Sequence, residues 1–459
     1  MIHRLLKRAG IEARSYLLRV PRAEENEGLL LLGDPGTGKS QIIHQLLAQI
    51  ALRRPPEAVV CYDPAGEFIR LHFDAGKHMV LNPLDVRCPH WSPSSEVDYQ
   101  MVSKGSTDRQ LVAESFFPDR EHSSSNSEFF IDSARKVFAR MLEFNPDAEA
   151  IVEMLKDESA IDQILEATEH SNLTYPSAKG QRGGVLATLS EIGESLKLLP
   201  LAKECSRPIT LTDWARKRKG WIFITSTPDT RDALRRLHTA WLNILMKRLL
   251  GDERGREHPC WVVVDEVHVL KRLPALSTAL IEGRKYGVKM VLGTQNKAQF
   301  EEHYGRGAAT MLSAPHVKIL FRCNEPESAR WVSDMIGEEE KERPRIGTTA
   351  AVQPNGRDSI NYATFTERRL VVSREQIMGL KNLHGYWKYS DSVVPFRIEP
   401  QSRQTIAHAF IPRSNPVMVQ ETPRDSDRPL PKEPKERARS AVPSREVTQE
   451  MLDDIDLSF

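Results

Sequence analysis

The chain has almost no net charge, few cysteines and no long apolar run, and each shortage argues against a class of protein. Its 64 basic and 63 acidic residues leave a net charge of +1. No global field advertises a nucleic-acid partner, so any DNA contact has to come from local patches or from assembly into a ring. The five cysteines (Cys61, Cys88, Cys205, Cys260 and Cys323) are an odd number, stand far apart and form no C-x-x-C pair. That argues against a disulfide framework or a zinc site and favours a reducing compartment. No segment approaches the roughly 18 consecutive apolar residues needed to span a bilayer. The basic start Met1-Ile-His-Arg-Leu-Leu-Lys-Arg-Ala is followed by no apolar stretch of signal-peptide length. A soluble cytoplasmic protein is expected, reaching the inner membrane only through partners.

What is present is ordinary globular composition, 40% hydrophobic and 28% charged over 459 residues, enough for two or three domains. One stretch organises it. Leu29–Leu32 reads as a buried strand, and the next eight residues, Gly33-Asp34-Pro35-Gly36-Thr37-Gly38-Lys39-Ser40, match G-x-x-x-x-G-K-[ST] at every fixed position. The glycines let the backbone wrap phosphates with its N–H groups pointing inward. A helix starting near Lys39 faces its positive dipole end toward the same anions. Ile42, Ile43, Leu46, Leu47 and Ile50 give that helix an apolar face at spacing three and four. Lys39 is expected on the β- and γ-phosphates of ATP, and the Ser40 hydroxyl on Mg²⁺.

In chain order, residues 1–27 are a polar lead-in. Ala58–Tyr62 and a short run at Met79–Leu81 continue a parallel α/β sheet with the strand–helix–strand spacing it requires. From 94 to 208 no β-run occurs and apolar residues recur at helical spacing, punctuated by the polar Ser123–Ser127 and by Gly183-Gly184. This stretch is expected to be an all-α insertion in a nucleotide-binding domain formed by 28–93 and 209–412. The α/β pattern resumes at Trp221–Thr225, followed by a helix over Arg231–Leu250, and then Trp261–Asp265, Lys289–Gly293 and Val317–Phe321 read as strands. Gly337–Asn361 is polar and rich in Gly and Pro, which predicts a long loop. Ser373-Arg-Glu-Gln376 is a capping box opening a short helix, and a strand pair lies around Tyr386–Tyr389 and Val394–Ile398. Residues 413–459 have the composition of a disordered tail.

Hydrolysis needs a carboxylate for the metal shell and a base for water. Val262-Val263-Val264-Asp265-Glu266 offers both, with Asp265 toward Mg²⁺ and Glu266 as general base. Gln295, just past the next strand, is placed either to sense the γ-phosphate or to satisfy loop backbone. Arg284 is a candidate for a neighbour's γ-phosphate, with Arg306, Arg322 and Arg330 as rivals. Asp63 and Glu67 either line the same crest of the sheet or hold the Pro64-Ala65-Gly66 turn between them. The basic run Arg216-Lys217-Arg218-Lys219 reads as a solvated turn.

The ordered set of motifs resembles the coupling proteins of conjugative type IV secretion systems (TraD/TraG-like), within the FtsK/HerA class of RecA-like motors. The similarity rests on Gly33–Ser40, Asp63-Pro-Ala-Gly-Glu67, Asn82-Pro-Leu-Asp85, Phe129-Phe130-Ile-Asp-Ser-Ala-Arg135 and Val264-Asp265-Glu266. It continues through Glu282-Gly-Arg-Lys-Tyr-Gly287, Gly293-Thr-Gln295 and Tyr304-Gly-Arg-Gly-Ala308, so it spans about Glu27 to Pro400.

The resemblance implies a RecA-like P-loop NTPase domain with an inserted all-α domain, assembled as a homo-hexamer. It implies an ATP-hydrolysing translocase of single- or double-stranded DNA that links a relaxosome to a type IV secretion channel. Arg284 matches the family's proposed arginine finger and Gln295 its glutamine motif. Members usually begin with two transmembrane helices, whereas this chain opens at the motor. Asp453, Asp454, Asp456 and Phe459 at the acidic end would suit a relaxosome protein. Two other readings fit the motifs: an FtsK/HerA-type soluble DNA motor with a different role, and a nucleotide-binding relaxosome adaptor that does not pump.

Overall fold

The computed structural model describes residues 20–22, 24–119, 125–166, 168, 170–174, 179–205, 207–349, 359–400 and 403–414. Most of the lead-in, Ser123 and Ser124, and the tail with Asp453, Asp454, Asp456 and Phe459 lie outside them.

Runs of Leu, Val and Ile with no polar face become the central strands. These are β1 (Leu29–Leu32), β2 (Ala58–Asp63), β3 (Met79–Leu81), β4 (Trp221–Thr225), β5 (Cys260–Val264), β6 (Val288–Thr294) and β7 (Val317–Leu320). All seven are parallel, and β10 (His384–Tyr389) and β11 (Ser392–Arg397) extend the sheet antiparallel beyond β7. The order is β11-β10-β7-β1-β6-β5-β2-β4-β3. Parallel strands buried on both faces read as continuous apolar runs, which is why they were legible.

Successive side chains feed two cores. Leu29, Leu31, Val59, Cys61, Trp261 and Val263 pack with Ile42, Ile43, Leu46 and Leu47 of helix α1 (Lys39–Ala51). Leu30, Val60, Tyr62, Val262 and Val264 face the other way. They join a cluster that runs through the helix Arg231–Leu250 into the helices Val102–Phe116, Ser125–Met141, Ala148–Lys156, Glu158–Leu165 and Lys179–Leu196. Among the described residues the only β contact over 94–208 is the isolated bridge of His90 to Pro208. Gly183 and Gly184 sit inside the last of these helices and do not break it. A Cβ on Gly184 would come within 2.5 Å of the Phe130 ring, so Gly184 is there for packing and not for a turn.

The loop expected over Gly337–Asn361 does not hold for 338–349 and 359–361, while 350–358 lies outside the described residues. Glu338–Thr349 (β8) and Ser359–Leu370 (β9) pair antiparallel along their whole length. Every residue over 338–343 is charged, so the alternation that marks a half-buried strand is missing there. Cross-strand charges take its place, with Arg368 directly opposite Glu340 at 3.1 Å and Arg343 reaching Glu367 diagonally at 3.4 Å. The capping box is present: the Ser373 hydroxyl accepts the Gln376 N–H and Gln376 Oε1 accepts the Ser373 N–H.

The edge of the sheet where the strands begin is built from charge. Arg53 bridges Glu25 and Glu57, while Lys289 donates to Glu25 at 2.9 Å and to Glu57 at 3.2 Å. Both cations lie over the Trp261 ring, whose Nε1 donates to Glu57 at 2.6 Å. Arg218 is not part of a solvated turn. It is buried and donates to the carbonyls of Ala215, Leu249, Gly255, His258 and Tyr286. Arg216 and Lys217 of the same run stay exposed near Asp213.

A C-terminal return strap was not foreseen. Residues 403–413 run back along the sheet, with Ile406 and Ala407 donating to the Arg70 carbonyl and Arg413 to that of Leu84. Asp85, held by Arg87, accepts from Ile411 N–H at 3.0 Å, so Asn82-Pro-Leu-Asp85 anchors the strap. All five cysteines are free. Among the described residues no helix is long and apolar enough to cross a membrane.

Candidate active site

Parallel strands end on one edge, and the register fixes which residues meet there. Leu32 pairs with Thr294, and Val264 with Leu292. The loop after β1, Gln295 after β6 and Asp265-Glu266 after β5 therefore emerge side by side, and Asp63 at the end of β2 stands next to them.

In the loop, the Asp34 N–H donates to the Arg322 carbonyl at 2.9 Å and the Asp34 carboxylate accepts from Asn324 N–H at 2.8 Å. The Thr37 hydroxyl donates to the Asp34 carbonyl at 2.7 Å. Lys39, only 7% exposed, turns back into the loop and donates to the carbonyls of Gly33 at 2.5 Å and Asp34 at 3.1 Å. Burial lowers its pKa, and Asp265, Glu266 and Asp34 oppose that shift.

Asp265 is 9% exposed and its Oδ1 has no hydrogen-bond partner. Its pKa is pushed up to about 7, first by burial and then by the charge of Glu266, with Lys39 pulling the other way. The neighbouring strand makes room for it, since a Cβ on Gly293 would stand 2.8 Å from Asp265 Oδ1. Glu266 adopts φ 54° and ψ 57°, a left-handed conformation costing a non-glycine residue about 1–3 kcal/mol and typical of functional sites. Its Oε1 accepts from Gln295 Nε2 at 3.3 Å.

Asp63 is buried and accepts the N–H groups of Glu67, Phe68 and Ile69 at 2.9, 2.8 and 3.0 Å. It holds the turn. Burial raises its pKa to about 6 against those three bonds. Glu67 lies 3.4 Å from His44 Nε2, the first of the groups that hold its pKa below the ordinary carboxylate value. His44 and His72, which sequence reasoning passed over, stack at 5.4 Å with His44 Nδ1 3.1 Å from His72 Nε2. Burial holds His72 down to about 3, so it is neutral near pH 7. His44 stands one helical turn after Ser40, a spacing that puts both on one face of α1; that was the available signal.

Arg284 is not at its own chain's site. It precedes β6 and pairs with Glu27, which precedes β1, so it lies at the opposite edge with its side chain 63% exposed. Arg322 stands beside the loop and donates to the Leu380 carbonyl. Arg306 is exposed in the turn Gly305–Gly307, and Arg330 lies 3.8 Å from Asp334.

The residues fit a divalent cation held together with a nucleotide. An orphaned buried carboxylate oxygen needs a positive partner, and the Ser40 hydroxyl belongs to the same site. Among the described residues no group of three His, Cys, Asp or Glu could hold a metal alone. A cation such as Mg²⁺, which usually takes one or two protein ligands plus substrate phosphates, suits that arrangement.

These carboxylates give the nucleotide-free protein a pH dependence. Asp265 and Asp63 titrate near 7 and 6 in the folded chain, against an ordinary 3.8. Between about pH 4 and 7 the folded state keeps protons that the unfolded state releases, so stability falls as pH rises through that window. Asp265→Asn removes the larger contribution. It raises the unfolding temperature at pH 8, and the gain fades toward pH 4; thermal scans across pH check this.

Strand order, phosphate loop and paired acids define a RecA-like P-loop fold in which one strand, β6, separates the loop strand from the acid strand. A family model for the type IV secretion-system coupling protein DNA-binding domain matches residues 17–400, and the chain belongs to that family. Coupling protein TraD of Escherichia coli (strain K12) is 29% identical over 436 residues, covering 91% of this chain and 59% of TraD. The chain thus spans 59% of the length of that curated relative. Among solved structures, it is similar in fold to the bacterial conjugative coupling protein TrwBdeltaN70 in an unbound form. The TM-score is 0.75 at 24% identity, with 88% of this chain and 93% of that one covered. TrwB in complex with ADP and Mg²⁺ gives a TM-score of 0.74 at 23% identity, covering 89% and 95%. TrwB with the non-hydrolysable analogue ADPNP gives 0.73 at 22%, also covering 89% and 95%.

Proposed function

We propose that this chain is the ATP-hydrolysing DNA motor of a conjugative coupling system, working with Mg²⁺ as a ring of identical subunits. The observation that carries the reading is the convergence of Lys39, Asp265 and the Glu266–Gln295 pair on one strand edge of a coupling-protein fold. The nucleotide complexes of TrwB support it.

Gly33–Ser40 wraps the phosphates with backbone N–H groups, and Lys39 exchanges its two loop carbonyls for β- and γ-phosphate oxygens. Ser40 and Asp265 would hold Mg²⁺, which when bound neutralises charge developing on the phosphates. Glu266 takes a proton from the attacking water, and Gln295, hydrogen-bonded to it, orients that water. We assign 94–208 as the family's inserted all-α domain, on the face where DNA arrives. The acidic end of the tail is assigned to a relaxosome partner, with type IV secretion channel components as further partners.

Three variants test this. Wild-type protein turns over ATP, and Lys39→Ala falls to background because nothing else reaches the β/γ-phosphates. Turnover unchanged by Lys39→Ala would sink the assignment. Arg284, remote from its own site and exposed, fits a neighbour's γ-phosphate. Arg284→Ala then binds ATP normally while turnover drops about 10³-fold or more. Mixing Arg284→Ala with Glu266→Gln subunits restores part of the activity, because some interfaces receive an intact arginine and an intact base. Absence of rescue in mixed assemblies contradicts a shared site.

A further inference from the structure

We propose that Leu383 is a positioning residue for the phosphate loop: its backbone N–H pins the Thr37 carbonyl outward and so aims the Gly38 N–H at the phosphates of the bound nucleotide. The inference rests on the nucleotide reading above and goes beyond it. Such a loop binds an anion only when successive N–H groups face it together. Glycine turns freely, so a glycine-rich stretch does not hold that arrangement by itself. Each peptide unit is planar and trans, with its C=O and N–H pointing in opposite directions. Anchoring a carbonyl on the outside therefore turns the next residue's N–H inward.

The start of the loop is tied down through its N–H groups: Gly33 donates to the Thr294 carbonyl at 3.3 Å and Asp34 to the Arg322 carbonyl at 2.9 Å. Both N–H groups are thereby turned away from an anion inside the loop. At Thr37 the tie passes to a carbonyl, which accepts the Leu383 N–H at 2.9 Å. Leu383 makes that bond from a strained pose. Its φ is 66°, where the Cβ of an L-residue crowds its own carbonyl, and such outliers concentrate at functional sites. The residue is fixed from its other side as well. It stands directly before β10, and its carbonyl accepts the N–H of Ile398, just past β11, at 2.7 Å. The strained pose thus joins the antiparallel edge of the sheet to the loop. Side chains close on the same peptide: a Cβ on Gly38 would stand 3.2 Å from Leu383 Cδ2, 3.2 Å from Ile398 Cδ1 and 3.1 Å from Phe321 Cε1. Gly38 itself has φ 124°, so the peptide that it shares with Thr37 is held by backbone pose and by contact together.

Calorimetric titration with ADP and Mg²⁺ tests the proposal through the ranking of two variants. Leu383→Val keeps most of the apolar bulk, but a β-branched residue resists a positive φ, so its N–H leaves Thr37. Losing one hydrogen bond to a charged group weakens ADP binding about 10–100-fold. Leu383→Gly discards the side chain but takes the left-handed pose freely, and it binds ADP more tightly than Leu383→Val. A role in packing alone gives the reverse ranking, because glycine leaves the larger void. Amide exchange of the wild-type chain supplies a check that needs no variant: the Leu383 N–H exchanges slowly with solvent deuterium. A loss in Leu383→Val of less than about threefold, a glycine variant weaker than the valine one, or exchange at Leu383 as fast as in an open loop overturns the proposal. Failure of the wild-type chain to bind ADP overturns the nucleotide reading itself.

Discussion

Glu266→Gln is expected to lower ATP turnover about 10²–10⁴-fold, the range a general base supplies, while leaving nucleotide binding intact. The substitution keeps the shape of the side chain and an oxygen able to accept from Gln295 Nε2, now at 3.3 Å. What it removes is basicity. It also removes one of the charges that raise the Asp265 pKa, so Asp265 ionises more readily and metal affinity does not fall. The expected phenotype is an enzyme that loads nucleotide and stalls. Steady-state turnover together with binding of a non-hydrolysable analogue checks both halves. A variant within about threefold of wild-type turnover would show that another group activates water, because no base contributing at the usual level could be removed so cheaply. The left-handed backbone at Glu266 makes the distinction sharper, since that conformation costs stability and needs a functional return.

Arg218→Leu is expected to be the most damaging substitution far from the site. The guanidinium gathers five carbonyls from four connections: the end of the helix Leu211–Lys217, the end of the helix Arg231–Leu250, the Glu253–Arg256 turn with His258, and the entry to β6. Each buried acceptor left unpaired costs about 1–3 kcal/mol. Losing even two or three of them approaches the 5–15 kcal/mol that separates a typical folded chain from its unfolded state. Arg218→Leu should therefore accumulate poorly or melt well below wild type. Arg218→Lys should recover only part of the loss, because an ammonium has three donors and no planar fork. Thermal unfolding of the two variants decides the matter, and a Leu variant as stable as wild type would mean that these carbonyls find water instead.

How much of this was legible from sequence follows physical lines. The phosphate loop, the helix after it and the seven parallel strands announce themselves through local spacing and continuous apolar runs. Asp265 and Gln295 follow from strand ends, whose position one register predicts. The pairing of Glu338–Thr349 with Ser359–Leu370 was missed because cross-strand charge marks it. Arg218 was misread because a four-residue basic run cannot show that one member reaches five distant carbonyls. Gly184 looked like a breaker since the ring that needs its space comes from Phe130, more than fifty positions earlier. The strap over 403–413 and the His44–His72 contact are long-range with no local signature. Arg284 could be assigned only by resemblance, and its distance from its own chain's loop explains why spacing alone could not place it.

The central claim is that the strand edge carrying Lys39, Asp265 and Glu266 is an ATPase site working in a ring on DNA. The measurement that meets it most directly is ATP turnover of the full chain with and without DNA, read alongside the mass of the particle in solution. Turnover that rises on adding DNA, together with a hexamer under the same conditions, is the expected result. A monomer whose turnover is absent, or indifferent to DNA, would contradict it.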